Sequence, residues 1–162
     1  MNITVLGAGA WGSALASSLA EHRSDHQVTL WGRDELQMSS MAKTFFNSAY
    51  LPSVRLSGRL KFSSMLDKTI ASHASADDLI IIATPLSALR TMVEQIQRHG
   101  SQAAMLWLCK GVERETALLP HQIVAQVLGS DAPCGALSGP SFAQEVAQGK
   151  PCALTLASTS PR

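Results

Sequence analysis

Three glycines in six residues, GAGAWG from Gly7 to Gly12, stand between an apolar run and a helix-forming one. Such a spacing does chemistry through the backbone. Without a side chain at Gly7 the chain can turn tightly. Without one at Gly9 the backbone can approach a phosphate, and without one at Gly12 the next helix can pack close to the preceding strand. A helix starting here offers unpaired N–H groups and the positive end of its dipole to an anion. A lone G-x-G-x-x-G is a weak signal. Flanked by a strand, a helix and a second strand, it predicts a dinucleotide, NADP(H) or NAD(H), with its diphosphate on the turn. The competing reading is a glycine-rich turn that binds nothing.

Folds that bind NAD place Asp or Glu about 20 residues further on, to take the ribose 2′-hydroxyl. Twenty residues past Gly12 is Gly32, followed by Arg33. A 2′-phosphate needs a cation and repels a carboxylate, so the pattern leans toward NADP. Asp34 either serves the ribose or caps the next helix, and Arg33 reads otherwise as a solvated surface residue. Lys110 follows the apolar run AAMLWLC, at what would be the carboxyl end of a strand, where ligands of open α/β sheets collect. An ammonium there could steady a carbonyl oxygen as charge develops on it, and an ordinary loop lysine is the competing reading. In SGPSFAQE, Ser138 and Ser141 can cap a short helix that has Glu145 in its first turns, or touch substrate with the neighbouring glycine. Of the five histidines only His22 and His26 are four apart, with a turn expected between them, so no metal site is expected. There is no G-x-S-x-G and no P-loop lysine.

These residues need elements to hold them. Strands are expected at 2–6, 27–31, 78–85, 103–109, 133–138 and 151–158, and helices at 12–22, 34–46, 64–74, 87–100, 118–129 and 141–149. Residues 46–61, with Pro52, Gly58 and several serines, read as an irregular connection. The run DLIIIATP suits a strand buried on both faces of a parallel sheet. Alternation of strands with helices predicts an α/β, doubly wound, mostly parallel sheet, the Rossmann dinucleotide-binding fold, over 1–162.

Composition is consistent with this and excludes other classes. The chain has 162 residues, is 46% hydrophobic and 15% charged, and carries a net charge of +1. It is long enough for one core. The charge balance gives no global pull toward nucleic acid or an anionic membrane. No apolar run is long enough for a membrane span, and the start lacks the basic region of a signal peptide. Cys109, Cys134 and Cys152 lie in or beside apolar runs without C-x-x-C, and read as buried free thiols of a reducing cytoplasm.

Taken together, the stretches VLGAGAWGSALA, VTLWGRD, NSAYLP, CKGVERET and SGPSFAQEVAQGKPCALTLAS resemble the N-terminal domain of bacterial NAD(P)-dependent glycerol-3-phosphate dehydrogenase. They span almost the whole chain in order, and the last two are specific to that family. The resemblance implies interconversion of dihydroxyacetone phosphate and sn-glycerol 3-phosphate for glycerophospholipid synthesis. It implies that Ala10, Trp11 and Arg33 contact the dinucleotide, with Ala143 beside it. It implies that Lys110 meets both cofactor and substrate, and that Gly139 and Ser141 line the substrate site. Cys109 stands where family members usually carry Thr.

The family has a second, helical domain bearing the lysine taken as proton donor and the residues that hold the substrate phosphate. The sequence stops before it, so the expectation is a truncated domain, inactive alone and cytoplasmic, with a small-molecule substrate. A homodimer of the longer protein is left open. A non-catalytic dinucleotide-binding module and a related reductase with another substrate are the rival readings.

Overall fold

In the computed structural model, which describes residues 1–22 and 25–159, alternate side chains of each central strand enter opposite cores. Strand β1 (Asn2–Leu6) sends Val5 to one side and Leu6 to the other. In β6 (Leu79–Ile82), Ile81 faces with Val5, while Ile80 and Ile82 face with Leu6. This is why DLIIIATP is continuously apolar: a strand covered on both faces has no polar side.

The first core is closed by α1 (Ala10–His22) and α2 (Glu35–Thr44), through Ala14, Leu15, Met38 and Met41. The second is closed by α4 (Leu89–Arg98) and α5 (Pro120–Leu128), through Leu89, Val93, Ile96, Ile123 and Val124. The remaining strands are β2 (Gln27–Trp31), β5 (Lys61–Ser63), β7 (Ala104–Trp107), β8 (Cys134–Ser138) and β9 (Thr155–Ser158). Helix α3 (Leu66–Ala71) leads into β6, and α6 (Ala143–Ala147) lies between β8 and β9. The sheet runs β5-β2-β1-β6-β7-β8-β9, parallel except for its last pair. The doubly wound, mostly parallel sheet expected from the sequence is therefore present. No helix among the described residues is long and apolar enough to cross a membrane.

Three local expectations are corrected, and the direction of the final strand is added. Residues 46–61 are not irregular: β3 (Phe46–Asn47) and β4 (Leu51–Arg55) form an antiparallel ribbon, and β5 begins at Lys61. Helix α1 starts at Ala10, so Gly12 lies inside it. The helix expected to run to residue 46 ends at Thr44, because Phe45 turns left-handed (φ 59°) and closes the last turn onto the Met41 carbonyl. Last, β9 is exposed and antiparallel to β8. The five residues of α6 rise only about 8 Å, against about 16 Å for the five of β8, so α6 cannot return the chain to the start of the sheet. The turn expected between His22 and His26 includes residues 23 and 24, which lie outside the described residues, as do residues 160–162 of the closing STSPR.

At the amino ends of the strands, away from the glycine turn, His73 is buried at 2% exposure. Its Nδ1 lies 3.0 Å from the Thr69 carbonyl, whereas its Nε2 is buried with no hydrogen-bond partner among the described residues. Burial lowers its pKa, against the opposing pull of the Thr69 carbonyl and the Asp78 charge. The unfolded chain therefore takes a proton near pH 6.5 that the folded chain refuses. This contribution to stability is complete above about pH 6.5 and falls as the pH drops below it. Denaturant titrations from about pH 7 to pH 5 should show wild-type stability falling, and a flatter fall in His73→Gln. Parallel slopes would assign the acid sensitivity to other groups.

Candidate functional site

The chain leaves β1 toward β2 and β5 on one side, and later builds β6, β7 and β8 on the other. The crevice at the carboxyl ends of β1 and β6 is thus the point where the winding reverses, where open α/β sheets bind ligands. The glycine turn lies there, and packing requires two of its three glycines. Gly7 has φ +126°, and a Cβ on it would stand 2.8 Å from the carbonyl carbon and oxygen of Ala83. A Cβ on Gly12 would overlap the Gly7 carbonyl oxygen. That contact explains a glycine in a helix interior, where it costs about 1 kcal/mol relative to alanine. A Cβ on Gly9 would meet nothing within 4 Å. The turn is therefore closed around Gly7 and Gly12 and open over Gly9. Helix α1 begins at the next residue, with no acidic residue in its first turn to neutralise its positive end. An open backbone face beside a helix N-terminus fits a diphosphate.

At the end of β2, Gly32 is buried, and a Cβ there would press on the Met38 sulfur at 2.5 Å and the Ala8 Cβ at 2.9 Å. Packing thus excludes the carboxylate that an NAD-binding fold often carries at this point. Arg33 is exposed beyond it. Asp34 is the N-cap of α2, accepting from the Gln37 N–H at 3.0 Å, as the capping alternative expected.

Beyond the turn is a cleft of about 410 Å³. Trp11, Lys110, Gly139 and Ser141, four of the residues singled out in the sequence, line it together. Lys110 is exposed and makes no ion pair among the described residues. Its loop is anchored three residues further on: Glu113 accepts from Arg90 Nε at 2.9 Å and Nη2 at 2.7 Å. Hydrogen bonds from Arg90 and Thr116 hold the Glu113 carboxyl down to about 2. The expected serine cap of α6 is absent. Its N-cap is Phe142, without a side-chain cap bond, and the Ser141 hydroxyl donates to the Ala153 carbonyl at 3.1 Å. A Cβ on Gly139 would overlap that same carbonyl oxygen, so packing alone already demands glycine there. Ala10, Arg33 and Ala143 lie outside the cleft lining, at the starts of α1 and α6 and beyond β2.

Sequence reasoning missed Thr84. Its Oγ1 is buried without a partner among the described residues, and the residue lines the cleft. The signal was available: it follows the apolar run of β6, immediately before Pro85. The cysteine expectation is corrected in part, since Cys134 is buried but Cys109 is half-buried and Cys152 exposed. Cys152 sits in the open segment before β9, where no element covers it. Burial pushes the Cys109 thiol up to about 11, which keeps it neutral and a poor nucleophile. No group of three or more His, Cys, Asp or Glu among the described residues could hold a metal ion.

The family model for the NAD-dependent glycerol-3-phosphate dehydrogenase N-terminus matches residues 2–162. The chain is 54% identical over 158 residues to glycerol-3-phosphate dehydrogenase (NAD(P)+) of Herminiimonas arsenicoxydans, covering 98% of this chain and 46% of that protein. It is 52% identical over 160 residues to the enzyme so named from Janthinobacterium sp. (strain Marseille), covering 99% and 47%. The crystal structure of glycerol-3-phosphate dehydrogenase from Coxiella burnetii superposes with a TM-score of 0.85 at 32% identity, over 98% of this chain and 47% of that one. The chain thus spans about half the length of the curated relatives it matches. It belongs to the NAD-dependent glycerol-3-phosphate dehydrogenase family, as the N-terminal, dinucleotide-binding domain.

Proposed function

We propose that this domain holds NADP(H) or NAD(H) for an enzyme that interconverts dihydroxyacetone phosphate and sn-glycerol 3-phosphate. The observation that carries the reading is the open face of Gly9, at the start of α1 and beside a cleft lined by Lys110, Gly139 and Ser141. When bound, the nicotinamide supplies or accepts the hydride. The chain's own residues do the positioning. Gly7, Gly9, Ala10, Trp11 and Gly12 hold the diphosphate side, and Ala143 lies beside the cofactor. Lys110 faces the substrate oxygen and opposes the negative charge that grows on it during reduction. Gly139 lines the substrate side of the cleft. The Ser141 hydroxyl, whose proton goes to the Ala153 carbonyl, keeps its lone pairs free to accept from a substrate hydroxyl. The proton donor and the substrate-phosphate anchor belong, in this reading, to a helical domain in the half of the relatives that this chain does not span. The same reading places the enzyme in the cytoplasm, with no nucleic-acid partner, and leaves a homodimer of the full-length protein open.

Arg33 supplies the test of cofactor choice. Packing at Gly32 removes the carboxylate, and an exposed guanidinium follows. Fluorescence titration should find NADPH bound at least as tightly as NADH. Arg33→Asp should weaken NADPH by about 10- to 100-fold more than NADH, the worth of one charge-assisted contact. Equal losses for the two would remove Arg33 from the 2′-phosphate.

A further inference from the structure

Asn47 never touches the cleft or the open side of the glycine turn, yet it is fully buried, at 0% exposure, directly behind that turn. Its Nδ2 donates to the Ala8 carbonyl at 2.9 Å and to Ser13 Oγ at 2.8 Å. Its Oδ1 accepts from Gln37 Nε2 at 3.2 Å and from the Tyr50 N–H at 3.3 Å. Two donor and two acceptor positions are all that a primary amide has, and here all four are used. The amide orientation follows from its partners. The Ala8 carbonyl can only accept and the Tyr50 N–H can only donate, so the nitrogen must face Ala8.

The consequence lies on the other side of one peptide plane. Ala8 and Gly9 share a trans peptide, and a trans peptide points its C=O and N–H in opposite directions. With the Ala8 carbonyl drawn inward by Asn47, the Gly9 N–H points the opposite way, away from Asn47, at a residue whose own Cβ would meet nothing within 4 Å. Rotation of this peptide would aim a carbonyl oxygen at the phosphates. Gln37 Nε2 adds a second, longer bond to the same carbonyl at 3.4 Å. Gln37 lies on α2, the helix that Asp34 caps next to Arg33. Asn47 and Gln37 therefore tie the turn to the element that follows Arg33, through the β3–β4 ribbon.

We propose that Asn47, assisted by Gln37, is a positioning residue that locks the Ala8–Gly9 peptide with its N–H toward the dinucleotide diphosphate. The proposal rests on the dinucleotide reading above. It differs from a general packing role because it acts on the diphosphate contact and spares the adenosine end.

The test compares wild type, Asn47→Asp, which keeps the shape but removes the donor, and Gln37→Ala, which leaves Asn47 in place. Each is titrated with NADPH and with adenosine 2′-monophosphate, which lacks the 5′-diphosphate. Hydrogen exchange at the Gly9 amide is followed without ligand. Asn47→Asp is expected to lose about tenfold or more in NADPH affinity, with adenosine 2′-monophosphate binding unchanged and faster Gly9 exchange. Gln37→Ala should lower NADPH affinity and speed Gly9 exchange by less, again with adenosine 2′-monophosphate binding unchanged, and it carries the test if Asn47→Asp does not fold. Unchanged NADPH affinity and unchanged Gly9 exchange in a folded variant would overturn the proposal, as would equal losses for both ligands. Failure of the wild-type chain to bind NADPH would sink the dinucleotide reading alone, leaving the Gly9 exchange to decide whether Asn47 locks the peptide.

Discussion

Gly9→Val should abolish dinucleotide binding, at least 100-fold in dissociation constant, and leave the melting temperature nearly unchanged. The two halves of that result have separate physical sources. Gly9 is not among the glycines with positive φ, so its backbone conformation is open to an L-residue without strain. Its Cβ would meet no protein atom within 4 Å, so the fold has nothing to lose by packing. The space the valine fills is the open face of the turn, which a diphosphate must approach to within hydrogen-bonding distance of the backbone. Gly12→Ala is the contrasting control. Its one added carbon falls on the Gly7 carbonyl oxygen, which belongs to backbone and cannot swing aside. That variant should lose binding and stability together. Thermal melts and NADPH titration of both variants make the comparison. Normal NADPH binding by a folded Gly9→Val domain would show that the cofactor does not use this turn.

The glycine pattern was legible because each requirement is local: a strand, a turn and a helix start within about a dozen residues. The parallel core was legible for a similar reason, since burial on both faces leaves uninterrupted apolar runs such as Ile80–Ile82. What escaped is what depends on distant partners. Asn47 reads as one polar residue in a turn-rich stretch, and its bond to Ala8 spans 39 positions. The β3–β4 ribbon carries Pro52 and shows no clean alternation, so its pairing could not be told from loop. Ser141 has the local signature of a cap, but a carbonyl 12 residues on, brought close by the antiparallel return of β9, took its proton. Lys110 was singled out by its charge and its address at the end of a buried strand, with an ordinary loop lysine as the competing reading, and its role came from the family resemblance.

That address carries the second large effect. Lys110→Ala in the full-length enzyme should lower kcat for dihydroxyacetone phosphate by about 10²–10³-fold, the usual cost of removing one group that opposes developing oxyanion charge. Cofactor affinity of the domain should stay within about twofold, because the turn at Gly9 and the cation at Arg33 are untouched by the change. Such a split, kcat lost with binding kept, marks a group whose interaction grows toward the transition state. The domain alone should bind the cofactor and give no measurable turnover. Its Lys110 ammonium is exposed, and a charge in water interacts several times more weakly than one enclosed by protein. Ketone reduction also consumes a proton, and a positioned general acid contributes about 10²–10⁴-fold. Held in line with the nicotinamide by an anchored phosphate, the substrate would gain on the order of 10⁵ M or more in effective concentration, which a freely diffusing one lacks. Steady-state assays on wild-type and Lys110→Ala full-length enzyme, beside the 162-residue chain, and NADPH titration of that chain with and without Lys110→Ala, test all three statements. Robust reduction by the 162-residue chain would mean that the acid and the anchor lie within it, and full activity of Lys110→Ala would remove this lysine from the chemistry.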